Sequence, residues 1–268
     1  TWQMVSPFKK DRETGEVTPG KLEKTKIDVP DLQSGEVLVE VAGCGVCHTD
    51  LGYFYYGVPT VNKPPLTLGH EISGTVVDAA SDVAFWKGKE VIIPAVKPCR
   101  KCYLCKTGRG NRCLAQKMPG NSMGIYGGFS SHIPVPAIDL CEVKNRGDIP
   151  LEKLAVVADA ATTPFQASKR ADFQVGDNAI VIGVGGVGQY MVQVLKALGA
   201  ANVVAIDINQ ERLDVMLKNG ADFAVNSMGK TPREISGELK AYRKQNNIVS
   251  TGWKIFEVSG SKPGQELG

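Results

Sequence analysis

No apolar run among the 268 residues approaches the length needed to span a bilayer. The first residues, Thr1-Trp-Gln-Met-Val-Ser-Pro, lack the charged, apolar and small-residue parts of a secretory signal. A membrane role is therefore excluded and a cytoplasmic location expected. Charge of one sign is equally scarce: 31 Lys and Arg against 28 Asp and Glu leave a formal net charge of +3. The basic residues are dispersed, which excludes a nucleic-acid surface and at most favours an anionic small molecule. Nothing in the composition suggests disorder. There is no initiator Met, and Ser261-Lys-Pro-Gly-Gln-Glu-Leu-Gly268 reads as the opening of an element without its continuation, so a fragment is expected. Cysteine, by contrast, is well represented: there are seven, and five are grouped in ways that suit metal ligation better than a disulfide framework.

The run Glu36-Val-Leu-Val-Glu-Val-Ala alternates as a half-buried strand, and the glycines after it are expected to end the pairing. It delivers Gly43-Cys-Gly-Val-Cys47-His48-Thr49-Asp50 at a strand end. Further on, Gly69-His70-Glu71 precedes the strand-like Ile72-Ser-Gly-Thr-Val-Val. Taken singly, a free cysteine is more often a small buried hydrophobe, and a lone His a hydrogen-bonded core residue. Together, sulfur and imidazole suit zinc. The aromatic patch Tyr53-Phe-Tyr-Tyr56 either lines a cleft in part or packs as an edge strand.

Cys99-x-x-Cys102-x-x-Cys105 and, seven residues on, Cys113 form the strongest local signal, within a lobe spanning 97–114. Four thiolates in a loop with Gly108 and Gly110 can surround one tetrahedral cation, a structural zinc; an iron–sulfur cluster is the competing reading. A closed four-sulfur site has no open position for substrate. Cys44, Cys141 and His132 receive no role.

Near Pro150 short strands give way to longer helix-like runs, beginning at Leu151-Glu-Lys-Leu-Ala-Val-Val-Ala158. The expected organisation is a β-rich domain at 1–150 and an α/β domain at 151–268. Asp159 falls in an apolar, small-residue segment, where an acid needs a partner or a cation; a helix N-cap is the simpler local reading. Then Asn178-Ala-Ile-Val-Ile runs into Gly183-Val-Gly185-Gly186-Val187-Gly188 and a helix. The glycines permit a tight turn and close approach of a pyrophosphate at the helix N-terminus. A second strand ends in Asp207, about twenty residues beyond the last glycine, where a carboxylate binds the adenosine ribose hydroxyls. With no adjacent Arg to receive a 2′-phosphate, this selects NAD. Four strands are countable where a full doubly wound sheet has about six, so about two strands and their nicotinamide-end contacts are expected to be missing.

Together these motifs resemble the zinc-dependent medium-chain alcohol dehydrogenase family, over essentially the whole chain. The resemblance implies a chaperonin-10 (GroES)-like β-barrel catalytic domain followed by a Rossmann doubly wound parallel sheet. It implies two zinc ions, one catalytic on Cys47, His70 and Asp159 and one structural on Cys99, Cys102, Cys105 and Cys113. Asp159 stands where the family usually has Cys. By the same resemblance Glu71 and Asp50 stand behind the ligands, with Asp50 orienting His70. Thr49 is the relay hydroxyl, His48 faces the cofactor pyrophosphate and Thr163 the nicotinamide; Gly52 replaces the His that ends the relay in several members. A dimer or tetramer is implied. The wording of Gly110–Phe129 narrows the implied substrate to a secondary ring alcohol on a cyclohexene carried as a CoA thioester, oxidised to the 6-oxo product in anaerobic benzoyl-CoA degradation. The alternatives are oxidation of simple or aromatic alcohols, and a noncatalytic zinc- and nucleotide-binding fragment.

Overall fold

The computed structural model describes all 268 residues, in two compact units, Thr1–Asp159 and Ala160–Gly268. In the first, β1 (Trp2–Ser6), the hairpin of β2 (Lys9–Lys10) and β3 (Val17–Thr18), and β4 (Lys21–Lys24) lead into the long β5 (Glu36–Gly45). Helix α1 (His48–Tyr55), β6 (Leu66–Thr67), β7 (Glu71–Ala79) and β8 (Glu90–Ile93) follow. After the short α2 (Tyr103–Lys106) come β9 (His132–Pro136) and β10 (Cys141–Glu142). These strands form a three-stranded sheet, β4-β1-β6, and a five-stranded sheet, β10-β8-β7-β5-β9, both antiparallel. Val37, Val39, Ile72, Val76, Val91, Ile93, Ile133 and Val135 make the core of the larger sheet. Their alternation with exposed Glu40 on β5 is what one buried face requires.

Two expectations change here. Strand β5 does not stop at its glycines; it pairs on through Gly43↔Ser73, Cys44↔Ile72 and Gly45↔Glu71. Their lack of a side chain serves close approach instead of a turn: a Cβ on Gly45 would overlap the Glu71 carboxylate, 2.0 Å from Oε2. The aromatic run is helical, not an edge strand. Tyr53 is buried against Met4, Leu66 and Leu68, while Tyr55 and Tyr56 face outward.

The segment Leu151–Ala158 is a 3₁₀ stretch that packs on β5, β7 and β8 and is grouped with the first unit. Its Leu151, Ala155 and Ala158 are buried.

In the second unit, α3 (Thr162–Arg170), β11 (Asn178–Ile182), α4 (Gly186–Ala197), β12 (Asn202–Asp207), α5 (Gln210–Lys218), β13 (Phe223–Asn226), α6 (Pro232–Gln245), β14 (Trp253–Glu257) and α7 (Lys262–Leu267) follow in alternation. The four strands are parallel in the order β13-β12-β11-β14, the doubly wound pattern starting from a central first strand. Ala179, Val181, Val203 and Ala205 lie buried on one side with Met191, Val192 and Leu195 of α4. Val204, Ile206 and Val225 pack on the other with Ile235 of α6. Burial on both faces explains why β11 and β12 read as continuous apolar runs.

Candidate metal and dinucleotide sites

Strands β5 and β7 are antiparallel neighbours, so the C-terminal end of one lies beside the N-terminal end of the other. Cys47 follows the first and His70 precedes the second. Asp159 comes off the end of the 3₁₀ stretch, and its carboxylate Oδ2 lies 3.5 Å from His70 Nε2. One ligand atom each from Cys47, His70, Glu71 and Asp159 falls within 4.8 Å of the others. The chain thus brings together the three residues expected to share a cation and adds Glu71 to them. Asp159 is not an N-cap, since the N-cap of α3 is Ala161; it is the C-cap residue of the 3₁₀ stretch.

Asp50, 3 % exposed, holds this arrangement from behind. Its Oδ2 accepts the Cys47 N–H at 3.0 Å and its Oδ1 the Gly69 N–H at 3.0 Å. The same Oδ1 stands 3.7 Å from His70 Nδ1, too far for a hydrogen bond, and this buried nitrogen has no hydrogen-bond partner. Gly69 carries a φ of +94°, and a Cβ there would strike Cys44 Sγ and the Phe129 ring at 2.7 Å. Burial works against charge on His70, but Asp159, Asp50 and Cys47 around it outweigh burial and push the imidazole up to about 12. The Cys47 thiol is lowered, first by the His70 side chain and against burial. A thiol, an imidazole and carboxylates brought within 4.8 Å of one another are the donor types that a divalent cation such as zinc takes. The donor set therefore fits zinc.

Thr49 Oγ1 lies 3.6 Å from Cys47 Sγ. His48 is exposed at the start of α1 and stacks on Tyr56, with ring centroids 5.8 Å apart. A Cβ on Gly52 would meet Val58 Cγ2 at 3.4 Å, an ordinary packing contact. Cys44 is not in the cluster; burial drives its thiol up to about 12.

The second cluster is local. Cys99, Cys102, Cys105 and Cys113 bring their sulfurs together, with Cys102–Cys105 at 3.5 Å, Cys102–Cys113 at 3.8 Å and Cys99–Cys105 at 3.9 Å. Zinc–sulfur bonds of about 2.3 Å arranged tetrahedrally place sulfurs about 3.8 Å apart. An iron–sulfur cluster puts several atoms between its thiolates and would spread them further, so the spacing favours zinc. Backbone N–H groups of Lys101 and Cys102 pull the Cys99 thiol down to about 6, and the Cys99 N–H itself points at Cys113 Sγ at 3.3 Å.

In the second unit Gly183 has a φ of +86°, and a Cβ on it would lie 2.6 Å from Ser259 Cα. A Cβ on Gly188 would lie 1.9 Å from the Gly183 carbonyl oxygen. Gly185 caps α4, whose first turn contains Gly186, half-buried Val187 and Gly188. Asp207, 7 % exposed, accepts the Val184 N–H at 2.7 Å through Oδ2 and the Asn209 N–H at 2.9 Å through Oδ1. It therefore braces the glycine turn, and each oxygen retains a lone pair for a further donor. Thr163 lies exposed in the first turn of α3.

The sequence reading missed two residues of this turn. Ser259 follows β14 and abuts Gly183. Arg212, in the first turn of α5, brings Nη1 to 3.8 Å from where a Gly185 Cβ would stand. No arginine was expected adjacent to Asp207; Arg212, five residues on, brings its guanidinium to the glycine turn. Its signal was the Asn209 cap, which accepts the Arg212 N–H and starts the helix directly after the acidic strand.

Comparison with known proteins follows the same division. Residues 33–145 match the model for the alcohol dehydrogenase GroES-like domain, and residues 186–264 match that for zinc-binding dehydrogenases. An alcohol dehydrogenase of Geobacillus stearothermophilus is 36% identical over 213 residues, covering 79% of this chain and 61% of the relative. The chain spans about three-fifths of the length of such curated relatives. Among solved structures, galactitol-1-phosphate dehydrogenase from Escherichia coli superposes with a TM-score of 0.80 at 27% identity, covering 100% of this chain and 71% of the other. Acetophenone reductase from Geotrichum candidum, in complex with NAD, gives a TM-score of 0.68 at 29% identity, covering 84% and 64%.

Proposed function

Because the chain belongs to the zinc-binding medium-chain dehydrogenase superfamily, we propose that it serves NAD-dependent, zinc-assisted interconversion of an alcohol and a ketone. The observation that carries this is the convergence of Cys47, His70, Glu71 and Asp159 within 4.8 Å of one another. With Cys47, His70 and Asp159 as three protein ligands a fourth position stays open, which four thiolates do not allow. In this reading Cys47, His70 and Asp159 hold the catalytic zinc, with Glu71 beside them, and the four-cysteine lobe holds a structural zinc. When bound, zinc supplies an electrophile for the alcohol oxygen, and the nicotinamide a hydride acceptor.

The chain's own residues do the rest. Asp50 fixes the backbones of Cys47 and Gly69 and so the spacing of the two ligand segments. Thr49 Oγ1, beside Cys47, accepts the alcohol proton as its own hydroxyl proton passes on. Gly52 carries no imidazole, so the proton leaves through water, through His48, exposed at the helix start, or through a nearby tyrosine. In the second unit the α4 N-terminus with Gly185, Gly186, Val187 and Gly188 receives the pyrophosphate. Asp207 receives the ribose and Thr163 the nicotinamide.

The substrate is first an unesterified secondary alcohol. The wording of Gly110–Phe129, which resembles 6-hydroxycyclohex-1-ene-1-carbonyl-CoA dehydrogenase, supports a second reading, a ring alcohol carried as a CoA thioester. Parallel assays with 1-phenylethanol, a polyol and the thioester separate the two. Seven free cysteines suit a reducing compartment such as the cytoplasm, and sedimentation would count the implied dimer or tetramer. The deciding experiment is zinc per chain in the protein and in Asp159→Ala. About two falling to about one supports separate catalytic and structural sites; one zinc in both would remove Asp159 and the catalytic reading.

A further inference from the structure

Two residues between the ligand-bearing ends of β5 and β7 have no chemical reason to be what they are unless something crosses them. Gly43 and Ser73 are directly opposite in register, two positions in from Gly45↔Glu71. The 3₁₀ stretch Leu151–Ala158 passes over this pair. A Cβ on Gly43 would stand 2.5 Å from the Glu152 carbonyl oxygen and 2.8 Å from its Cα, contacts with backbone that no rotamer change relieves. Ser73, with 0% of its surface exposed, gives its hydroxyl hydrogen to the Leu151 carbonyl at 2.7 Å. At the far end of the stretch the Ala95 N–H points at the Ala158 carbonyl at 3.4 Å. Asp159 is the next residue.

A hydroxyl at a fully buried strand position costs stability unless it is bonded, and glycine weakens a strand interior. The sheet accepts both at one cross-strand position, the position where the segment carrying a candidate ligand is seated. We propose that Gly43 and Ser73 form a seat that sets the reach of Asp159 toward Cys47 and His70. All three candidate ligands are then referenced to one strand pair. Cys47 and His70 are placed by its ends, and Asp159 by a segment docked on its face. Both residues are positioning residues, acting through Asp159, and the proposal rests on reading Asp159 as a metal ligand. Ligand atoms must be placed to within about 0.2 Å, so a segment displaced by a methyl group, or left without its anchoring bond, weakens the site.

The test uses the full chain and cobalt(II) alone as the probe, in competition with a chelator. The absorption of a four-thiolate site distinguishes it from that of a one-thiolate site, so the lobe serves as an internal control. Ser73→Ala and Gly43→Ala should each weaken cobalt at the one-thiolate site by about 10- to 100-fold, the usual cost of losing a support behind a ligand. The four-thiolate site should be unchanged. In an Asp159→Asn background, Ser73→Ala should add no further loss, because the residue it acts through is already gone. The proposal is overturned if Asp159→Asn weakens the site while Ser73→Ala and Gly43→Ala do not. It is equally overturned if Ser73→Ala costs as much in the Asp159→Asn background, or if both cobalt sites fall together, either of which marks a purely structural role. Unchanged affinity in Asp159→Asn alone would instead remove the ligand reading, and the seat with it. Should Gly43→Ala fail to fold, Ser73→Ala, which only deletes an oxygen, carries the test.

Discussion

On the proposed reading Asp207 does two jobs that substitution can separate. Its carboxylate accepts the N–H of Val184, a residue 2 % exposed, and the N–H of the exposed Asn209. Asp207→Ala strands the first donor in the interior, which costs about 1–3 kcal/mol, while water replaces the second. Asp207→Asn keeps one oxygen acceptor for Val184 at the loss of charge assistance, about 1 kcal/mol, and sets its amide NH2 against the exposed Asn209 N–H, which water can take instead. Cofactor choice should respond differently. A carboxylate about 4 Å from a 2′-phosphate repels it by about 1–4 kcal/mol per unit charge, depending on solvent access. Both variants remove that repulsion and leave Arg212 near Gly185 to meet the phosphate. The ratio of Kd for NADP to Kd for NAD should therefore fall about tenfold or more in both, whereas the urea midpoint should fall clearly only in Asp207→Ala. Titration of each nucleotide at fixed salt and a urea melt by fluorescence measure the two effects. Equal destabilisation by Asn and Ala would refute the brace, and an unchanged nucleotide ratio would refute the selector.

Three other outcomes are expected. Cys102→Ala should lose one zinc per chain and expose the 97–114 lobe to proteolysis, since a loop this polar has no core of its own; intact zinc content by elemental analysis would contradict the four-sulfur assignment. Gly188→Ala should cost about 1–3 kcal/mol, because its Cβ would meet the Gly183 backbone at 1.9 Å, whereas Gly186→Ala meets nothing within 4 Å and should leave the urea midpoint unchanged or raised. The Arg146 side chain holds the Glu90 carboxyl below its ordinary value of 4.5 through bonds of 2.8 and 2.9 Å. A depressed folded value stabilises the fold above 4.5 and loses that contribution as pH falls through the lowered value. Arg146→Ala should therefore flatten this part of the acid limb in a pH series of urea melts, and an unaltered limb would show the pair to be idle.

Much of this was legible because the chemistry is local. The four cysteines of 99–113 lie in one loop, so their spacing alone brings the sulfurs within reach of one cation. The turn Gly183–Gly188 between an apolar strand and a helix is likewise written in consecutive residues. Its steric demand, no Cβ at Gly183 or Gly188, leaves few other residues possible. Strands β11 and β12 of the second unit announce themselves by apolar runs, because both their faces are covered.

Tertiary structure decided what depends on contacts between distant segments. The sequence could not show that Gly43 and Gly45 continue a strand, since their reason is the approach of Glu152 and Glu71. It left Tyr53–Tyr56 open between cleft and strand, and packing of Tyr53 on Met4, Leu66 and Leu68 made it helix. Arg212 reaches the glycine turn only because α5 is laid beside it. Asp159 could be read locally as a cap; only the docking of Leu151–Ala158 on β5 and β7 turns its carboxylate toward His70. The sequence by itself thus determined which residues can do chemistry, through their donor atoms and nearest neighbours along the chain. Which of them meet was set by packing, because a metal site of separated ligands is a property of the distances between strands.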